Sequence, residues 1–565
     1  MREEASGRGY DFDWLVIGSG FGGGVSALRL AENGYSVGVL ECGRRFEDED
    51  FVKTTWNLWR YYWVPKLRMK GILRLTLFRD VFIASGCGVG GGSLGYANTL
   101  YRPGPGFYRD PIWRDLDDWE EGLRPCFDEA EHMLGVTEYR GEGPADELLK
   151  ELAEELGVPE SYHRTRVGVF FNDDAPGETV RDPYFSGEGP DRAGCIRCGA
   201  CMPGCRYNAK NTLMKNYLWF AEKQGVRIEP ERMVTDIRPL DGEDGREGYA
   251  VTSEGSGRWL VKDRRVHIAR GVVVAAGAIG TNQLLLSAKR SGSLPRISDR
   301  LGYLVRTNSE SIPAVTVKDD RLDFTKSIAI TSSIHPAEDT HIENVTYGRG
   351  ADSMAFLWTL LVGKGSRLTR PLRFLGRAVR HPIQLARSVW PFKFSRRTVI
   401  LLVMQTIDNS MRFKPKRRLL GRGVRLTTEQ DPDNPNPTFI PVADWTARRA
   451  AEKLDALPQI GTTEALLNVP VTAHILGGAV MGEDSSSGVI DRRHRVFGYE
   501  NLLVCDGSAI PANPGVNPSL TITAMTEYAM THVPTRAEAE AGRDEESLAP
   551  AGLGEPREGV AASGR

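Results

Sequence analysis

The chain has 565 residues, 41% hydrophobic and 26% charged, with a formal net charge of −2. That length exceeds one small core and makes two domains the expectation, and the near-neutral balance excludes bulk nucleic-acid binding. The residues before the first strand lack the apolar core of a secretory signal, and no apolar run reaches the roughly 18 residues of a membrane span. The expected location is the cytoplasm or the inner face of the membrane.

Leu15-Val16-Ile17 is a short apolar run of the kind buried in a parallel sheet, and Gly18-Ser19-Gly20-Phe21-Gly22-Gly23 follows at once. Val25 to Leu30 has helical apolar spacing, and Val37 to Leu40 is a second buried strand that ends on Glu41, 23 residues after Gly18. This is the βαβ unit with a G-x-G-x-x-G turn that binds dinucleotides. Gly18 permits the tight turn, Gly20 lets backbone approach a pyrophosphate, Gly23 lets helix and strand pack closely, and Phe21 and Gly22 count with them as cofactor-binding. Free N–H groups at the helix start hold phosphate oxygens. Glu41 accepts from ribose hydroxyls, which favours a cofactor without a 2′-phosphate. The motif alone leaves FAD and NAD open.

Residues 51–80 are dense in Trp, Tyr, Leu and basic side chains, as in a loop packed over the first domain or a lid-like segment that touches membrane. Gly86-Cys87-Gly88-Val89-Gly90-Gly91-Gly92-Ser93 is a second glycine-rich turn. So much glycine costs backbone entropy, which points to a close approach by a flavin ring or pyrophosphate. Cys195-x2-Cys198-x2-Cys201-x3-Cys205 has ferredoxin-like spacing, but Arg206 stands where a ferredoxin has proline. An Fe–S cluster, a zinc or other structural metal, and unligated thiols all remain open.

Residues 226–270 alternate β-rich runs with turn clusters and read as an antiparallel meander. Val272 to Gly277 is a buried strand, followed by a helix entered through Gly277 and Gly280. Residues 310–460 lack a dinucleotide pattern and read as a substrate domain. Within it, residues 364–397 hold ten Lys or Arg and no acid, interleaved with Leu, Phe, Val and Trp. That segment is either a solvated basic face or a surface resting on anionic lipid, where each basic residue adds about 1 kcal/mol. Residues 536–565 are rich in Ala, Gly, Glu and Pro and read as a disordered tail.

His474, in VTAHILGGAVMG, would read as a core histidine on its own. It precedes the block NLLVCDGSAIPANPGVNPSLTITA, which holds Asp506, Gly507 and Asn517. With the two glycine turns and the Gly277–Gly280 helix start, this block resembles the glucose–methanol–choline (GMC) flavoprotein oxidoreductases. Within that family, GVGGGSL at 88–94 and NPSLTITA are most similar to cholesterol oxidases and related long-chain or sterol alcohol oxidases.

The resemblance implies an α/β (α+β) fold, with an FAD-binding Rossmann-like domain and a substrate domain on an antiparallel sheet. The FAD-binding part is expected at 11–50, 81–115, 225–309 and 465–533, and the substrate part at 116–224 and 310–464. FAD is expected to be non-covalent, because residues 86–103 contain no histidine. Gly86, Gly90, Gly91, Gly92, Ser93, Val234, Gly277, Asp506 and Gly507 join the first turn around the cofactor. His474 and Asn517 are implied to face the flavin N5. A neutral imidazole takes the hydroxyl proton, an amide holds the substrate oxygen, and hydride passes to N5.

The expected reaction is oxidation of a lipid-like alcohol, a sterol such as cholesterol, to the ketone, with O2 as acceptor giving H2O2. One alternative is a dehydrogenase that passes electrons through an Fe–S cluster to a membrane acceptor, and another is a lipid-binding protein without turnover. Membrane contact is expected through 51–80 and 364–397. Asp352 stands nearest to the glutamate that shifts the steroid double bond in cholesterol oxidases, and is the isomerase candidate.

Overall fold

The structure is a computed structural model and describes residues 9–258, 262–417 and 424–541. Strand β1 (Phe12–Ile17), helix α1 (Phe21–Glu32) and strand β2 (Val37–Leu40) form the expected βαβ unit. Each strand is an apolar run because both faces of a parallel sheet are covered. Helix α2 (Trp119–Met133) and helix α3 (Tyr217–Lys223) lie further along the chain. Both were expected with the substrate part, yet α3 packs on α1 and α2 on the last helix, because Leu123, Phe127, Tyr217 and Leu218 bury in the first core.

The sheet is completed by β3 (Arg227–Glu229), β4 (Arg232–Pro239), β5 (Tyr249–Gly255) and β6 (Arg265–Val274), in the order β3-β2-β1-β6-β5-β4. The meander is therefore β4-β5-β6, while β3 pairs in parallel with β2 on the opposite edge. The basic run at 265–270 and the apolar run after it are one strand, whose apolar end lies between β1 and the strand Leu502–Val504. Helix α4 (Gly277–Ser291) leaves that strand directly.

The second sheet has seven strands, all antiparallel, and includes β7 (Ala314–Val317), β8 (Ile330–Ala337), β9 (Thr340–Val345) and β10 (Trp358–Leu360). The basic segment then forms helix α5 (Thr369–Arg380) and helix α6 (Pro382–Ser388). Strand β11 (Thr398–Gln405) lies at the centre, and β12 (Ala456–Gly461) runs into helix α7 (Thr462–Leu467). Period-two alternation divides β11 between two cores. Val399, Leu401 and Val403 pack in one core, and Ile400, Leu402 and Met404 in the other.

Residues 51–80 are more than a loop over the first domain. Tyr61 and Ile72 bury in the second core, and Leu73–Leu77 pairs antiparallel with Phe82–Gly86. The hairpin Met411–Arg417/Val424–Gln430, placed by sequence in the substrate part, packs on α4 instead. Strand β13 (Leu502–Val504) and helix α8 (Ser519–Met530) return the chain to the first core. The expected tail begins with a helical turn at 536–541, where the Arg536 N–H donates to the Asn33 carbonyl; residues 542–565 lie outside the described residues. No helix among the described residues is long and apolar enough to cross a membrane.

Candidate active site

The two glycine turns meet. A Cβ added at Gly91, which has φ +53°, would lie 2.5 Å from the Cα of Gly20. The Ser19 hydroxyl ties the turns to the acid at the end of β2, donating to Glu41 Oε2 at 2.7 Å and accepting from the Gly90 N–H at 3.1 Å. Glu41 also accepts from the Ser19 N–H at 3.1 Å and the Gly43 N–H at 2.8 Å. The Cys42 thiol, a weak donor, takes the fourth of the carboxylate's roughly four acceptor positions at 3.4 Å, and it is the contact a ribose hydroxyl would displace. Helix α1 starts on Gly20 with no side-chain cap, which leaves its first N–H groups free for phosphate oxygens.

A cavity of about 610 Å³ runs along both turns and on between the two sheets. Gly18, Gly20, Phe21, Gly22, Glu41, Gly86, Gly91, Gly92, Val234, Gly277, Asp506, Gly507, His474 and Asn517 line it. Gly23, Gly90 and Ser93 stand behind that lining. A Cβ at Gly23 would strike the Gly18 carbonyl at 2.1 Å, which is the helix-to-strand contact, and Ser93 Oγ braces the second turn by accepting from the Leu213 N–H at 3.0 Å. The Asp506 carboxylate is held by the Gly277 N–H at 2.9 Å and the Thr281 hydroxyl at 2.5 Å, so it fixes the start of α4 beside the cavity. A larger cleft of about 1220 Å³ opens among Lys66, Arg68, Arg258 and Arg265, away from His474 and Asn517.

Among the cavity-lining residues, His474 and Asn517 each have a buried glutamate behind them, and neither acid stands out in the sequence. Glu310 Oε1 pairs with His474 Nδ1, and its Oε2 accepts from the Ala473 N–H at 3.0 Å. A carboxylate on Nδ1 keeps the proton there and leaves Nε2 as the basic nitrogen. Asn517 Nδ2 donates to Glu343 Oε2 at 3.2 Å, and Asn517 Oδ1 has no protein partner although the residue is buried. Burial pushes the Glu343 carboxyl up to about 8, only partly offset by the Asn517 hydrogen bond, so it is neutral at pH 7. An apolar strand interrupted by His341 and Glu343 was the available signal. Glu310 had none.

The orphaned Asn517 Oδ1, the uncapped α1 and the open space beside Gly277 fit a bound flavin dinucleotide. Beyond the turns the walls are apolar: Ile72, Leu75, Ile312, Tyr347, Met354 and Trp358 line the far part, with Ile400 and Leu402 from β11.

Two expectations need correction. Asp352 does not line the cavity; its Oδ1 accepts from the N–H and hydroxyl of Ser395 at 2.9 and 2.7 Å, bracing the short helix that precedes β11. The four clustered cysteines do not converge on one ion. Among the described residues the groups with ligand atoms within 4.8 Å of one another are His163/His335/His341 and Glu41/Cys42/Cys87. Sulfurs around a single zinc ion, bonded at about 2.3 Å, must lie closer than that. Burial pushes Cys195 up and Cys201 up to about 11, so without a metal both stand as thiols. Neither zinc nor an Fe–S cluster has support here. The three histidine rings stack within 7° of parallel, so no single ion lies in the plane of all three.

Profiles of the GMC oxidoreductases match residues 189–301 and 424–526. A cholesterol oxidase of Mycobacterium tuberculosis is 48% identical over 94% of this chain and 92% of its own. One from Acinetobacter baumannii is 45% identical over 93% and 95%. A long-chain-alcohol oxidase of Arabidopsis thaliana is 25% identical over 90% of this chain and 65% of its own. The crystal structure of a pyridoxine 4-oxidase shares the fold, with TM-score 0.58 and 14% identity over 92% of this chain and 99% of its own.

Proposed function

The chain belongs to the GMC oxidoreductases, FAD enzymes that act on CH–OH donors, and on that footing we propose that it oxidises a lipid-like alcohol of the 3β-hydroxysteroid class, cholesterol included, to the ketone. O2 is the proposed acceptor and H2O2 the product. The observation that carries this reading is the join, in one cavity, of apolar walls to two polar groups, His474 and Asn517. A sugar would need donors and acceptors along those walls, whereas a sterol needs one polar contact and a large apolar surface.

Bound FAD, held without a covalent link, supplies the hydride acceptor. The protein's share is proton handling and placement. Glu310 fixes the His474 tautomer, Nε2 takes the hydroxyl proton, and Asn517 holds the substrate oxygen with its own orientation set by Glu343. The apolar walls exclude water and fix the carbon skeleton. A substrate of this class resides in membranes, so residues 51–80 and 364–397 belong to the same reading as membrane-facing segments.

Oxygen uptake and peroxide release, measured with sterols, long-chain alcohols and sugars, test the proposal. Stoichiometric ketone and peroxide from a 3β-hydroxysterol are expected. Turnover of sugars but not sterols would overturn the substrate class, and ketone formed only with an added non-oxygen acceptor would overturn the oxidase reading.

A further inference from the structure

Helix α5 is amphipathic, and its apolar side faces outward. Leu368, Leu372, Leu375 and Val379, spaced by 4, 3 and 4 residues, form one stripe and are 79%, 67%, 58% and 73% exposed. The inward side carries Arg370, which is 1% exposed. Its guanidinium donates to the Thr438 carbonyl at 2.6 Å and Asn468 Oδ1 at 3.2 Å, and lies 3.4 Å from Glu464 Oε2. Arg377 donates to the Leu361 carbonyl at 2.8 Å on the same side. Rotating the helix to bury its leucines would expel a paired arginine and leave Glu464 buried without its counterion, a costly change. The outward stripe is thus fixed by the fold.

The apolar surface continues through Ile383 on α6 to Trp390 and Phe392, all exposed. It also borders the cavity: α5 packs on α7, whose Thr462 lines the cavity and donates its hydroxyl to the Phe356 carbonyl at 3.1 Å. Phe356 both lines the cavity and is exposed, so the cavity reaches the surface beside it, and it meets Trp56 edge-on at 5.9 Å between ring centres.

The charge of this segment is more selective than its count of basic residues. Arg367 pairs with Asp80, and Lys393, Arg396 and Arg397 pair with Asp320 or Asp323. With Arg370 and Arg377 turned inward, Lys364, Arg373, Arg380 and Arg387 stay exposed beside the leucine stripe, with no acid between 364 and 397. Cations flanking an outward apolar stripe complement an anionic bilayer, with side chains in the acyl region and charges at the headgroups.

We propose that α5 and α6 seat the protein on an anionic lipid surface with the cavity opening at Phe356 facing the bilayer, so that substrate passes from lipid into the cavity without crossing water. This rests on the lipid-alcohol reading for its purpose. Its test does not, because lipid binding is read without turnover.

Flotation of the full-length holoenzyme with vesicles of phosphatidylcholine, alone or mixed with phosphatidylglycerol, measures it. Wild type is expected to float with the mixed vesicles and at least tenfold less with phosphatidylcholine alone. The triple variant Leu372→Glu, Leu375→Glu, Val379→Glu should stay in solution, keep its flavin spectrum and its rate on a detergent-dispersed alcohol, and lose at least tenfold in rate on vesicle-borne substrate. Equal flotation of the triple variant would overturn the proposal. So would a wild type that ignores vesicles and forms dimers which the triple variant abolishes, since a second copy would then cover the stripe. Flotation without any sterol turnover would instead overturn the substrate reading and leave the surface standing.

Discussion

Glu310 and Glu343 do different work although both are buried acids behind cavity-lining side chains. Glu310 receives the Ala473 N–H as well as the His474 ring, so its charge is spread over two donors. Glu310→Gln keeps the shape but removes the charge that holds the proton on Nδ1. It should lower kcat by about tenfold to a hundredfold with little change in KM, less than the roughly hundredfold or more expected for losing an acid–base group itself, which steady-state kinetics on a dispersed sterol will measure. Glu343 is neutral until about pH 8, where ionisation places a charge behind Asn517. An alkaline change in kcat/KM near that pH is expected in wild type and should vanish in Glu343→Gln, which keeps an acceptor for Asn517 but does not titrate. Persistence of the change in the variant would remove Glu343 from the account. His474 and Asn517 were legible because they sit in a dense local signature. The acids were not, because each meets its partner 164 or 174 residues away in the chain.

Among elements, the glycine turns were legible because their constraint is local, and the structure adds what each glycine avoids. A Cβ at Gly22 would lie 1.7 Å from the carbonyl oxygen of Cys505, just beyond β13, and the clash is with backbone. Gly22→Ala should therefore push α1 away from the last strand and release FAD. Purified variant with flavin content near wild type would contradict that close packing. Edge pairing was less legible. Strand β3 looks like another meander strand because its residues are ordinary, and only the sheet shows that it lies parallel beside β2. Helix α5 was misleading in a different way. Sequence counts its arginines as a basic face, while the fold spends Arg370 and Arg377 inside and turns the leucines out.

For the whole molecule, the two seven-stranded sheets carry separate cores, and the boundary between the parts built on them is set by packing. Helices α2 and α3 join the first core through Leu123, Phe127, Tyr217 and Leu218, which no local pattern assigns to either side. Two buried histidines and a half-buried one tie global stability to acid. Burial lowers His335 and His494 from 6.5 to about 4, and lowers His341 well below 6.5. Between those values the unfolded chain binds protons that the folded one does not, so stability is full above pH 6.5 and is lost as pH falls towards 4. His494, fully buried with Nδ1 bonded to the Val504 carbonyl at 2.9 Å, contributes roughly 3 kcal/mol to that loss at 1.36 kcal/mol per unit. His494→Gln should flatten the fall of Tm between pH 6.5 and 4 relative to wild type, and an unchanged slope would contradict this source.

The central claim is that a lipid alcohol gives up its hydrogen in this cavity between His474 and Asn517. Anaerobic mixing of the holoenzyme with a 3β-hydroxysterol, followed by flavin absorbance, tests it most directly. Complete bleaching by stoichiometric sterol is expected, slowed by about a hundredfold or more in His474→Ala. Bleaching by sugars but not by sterols, or a His474→Ala variant that bleaches as fast as wild type, would contradict the account.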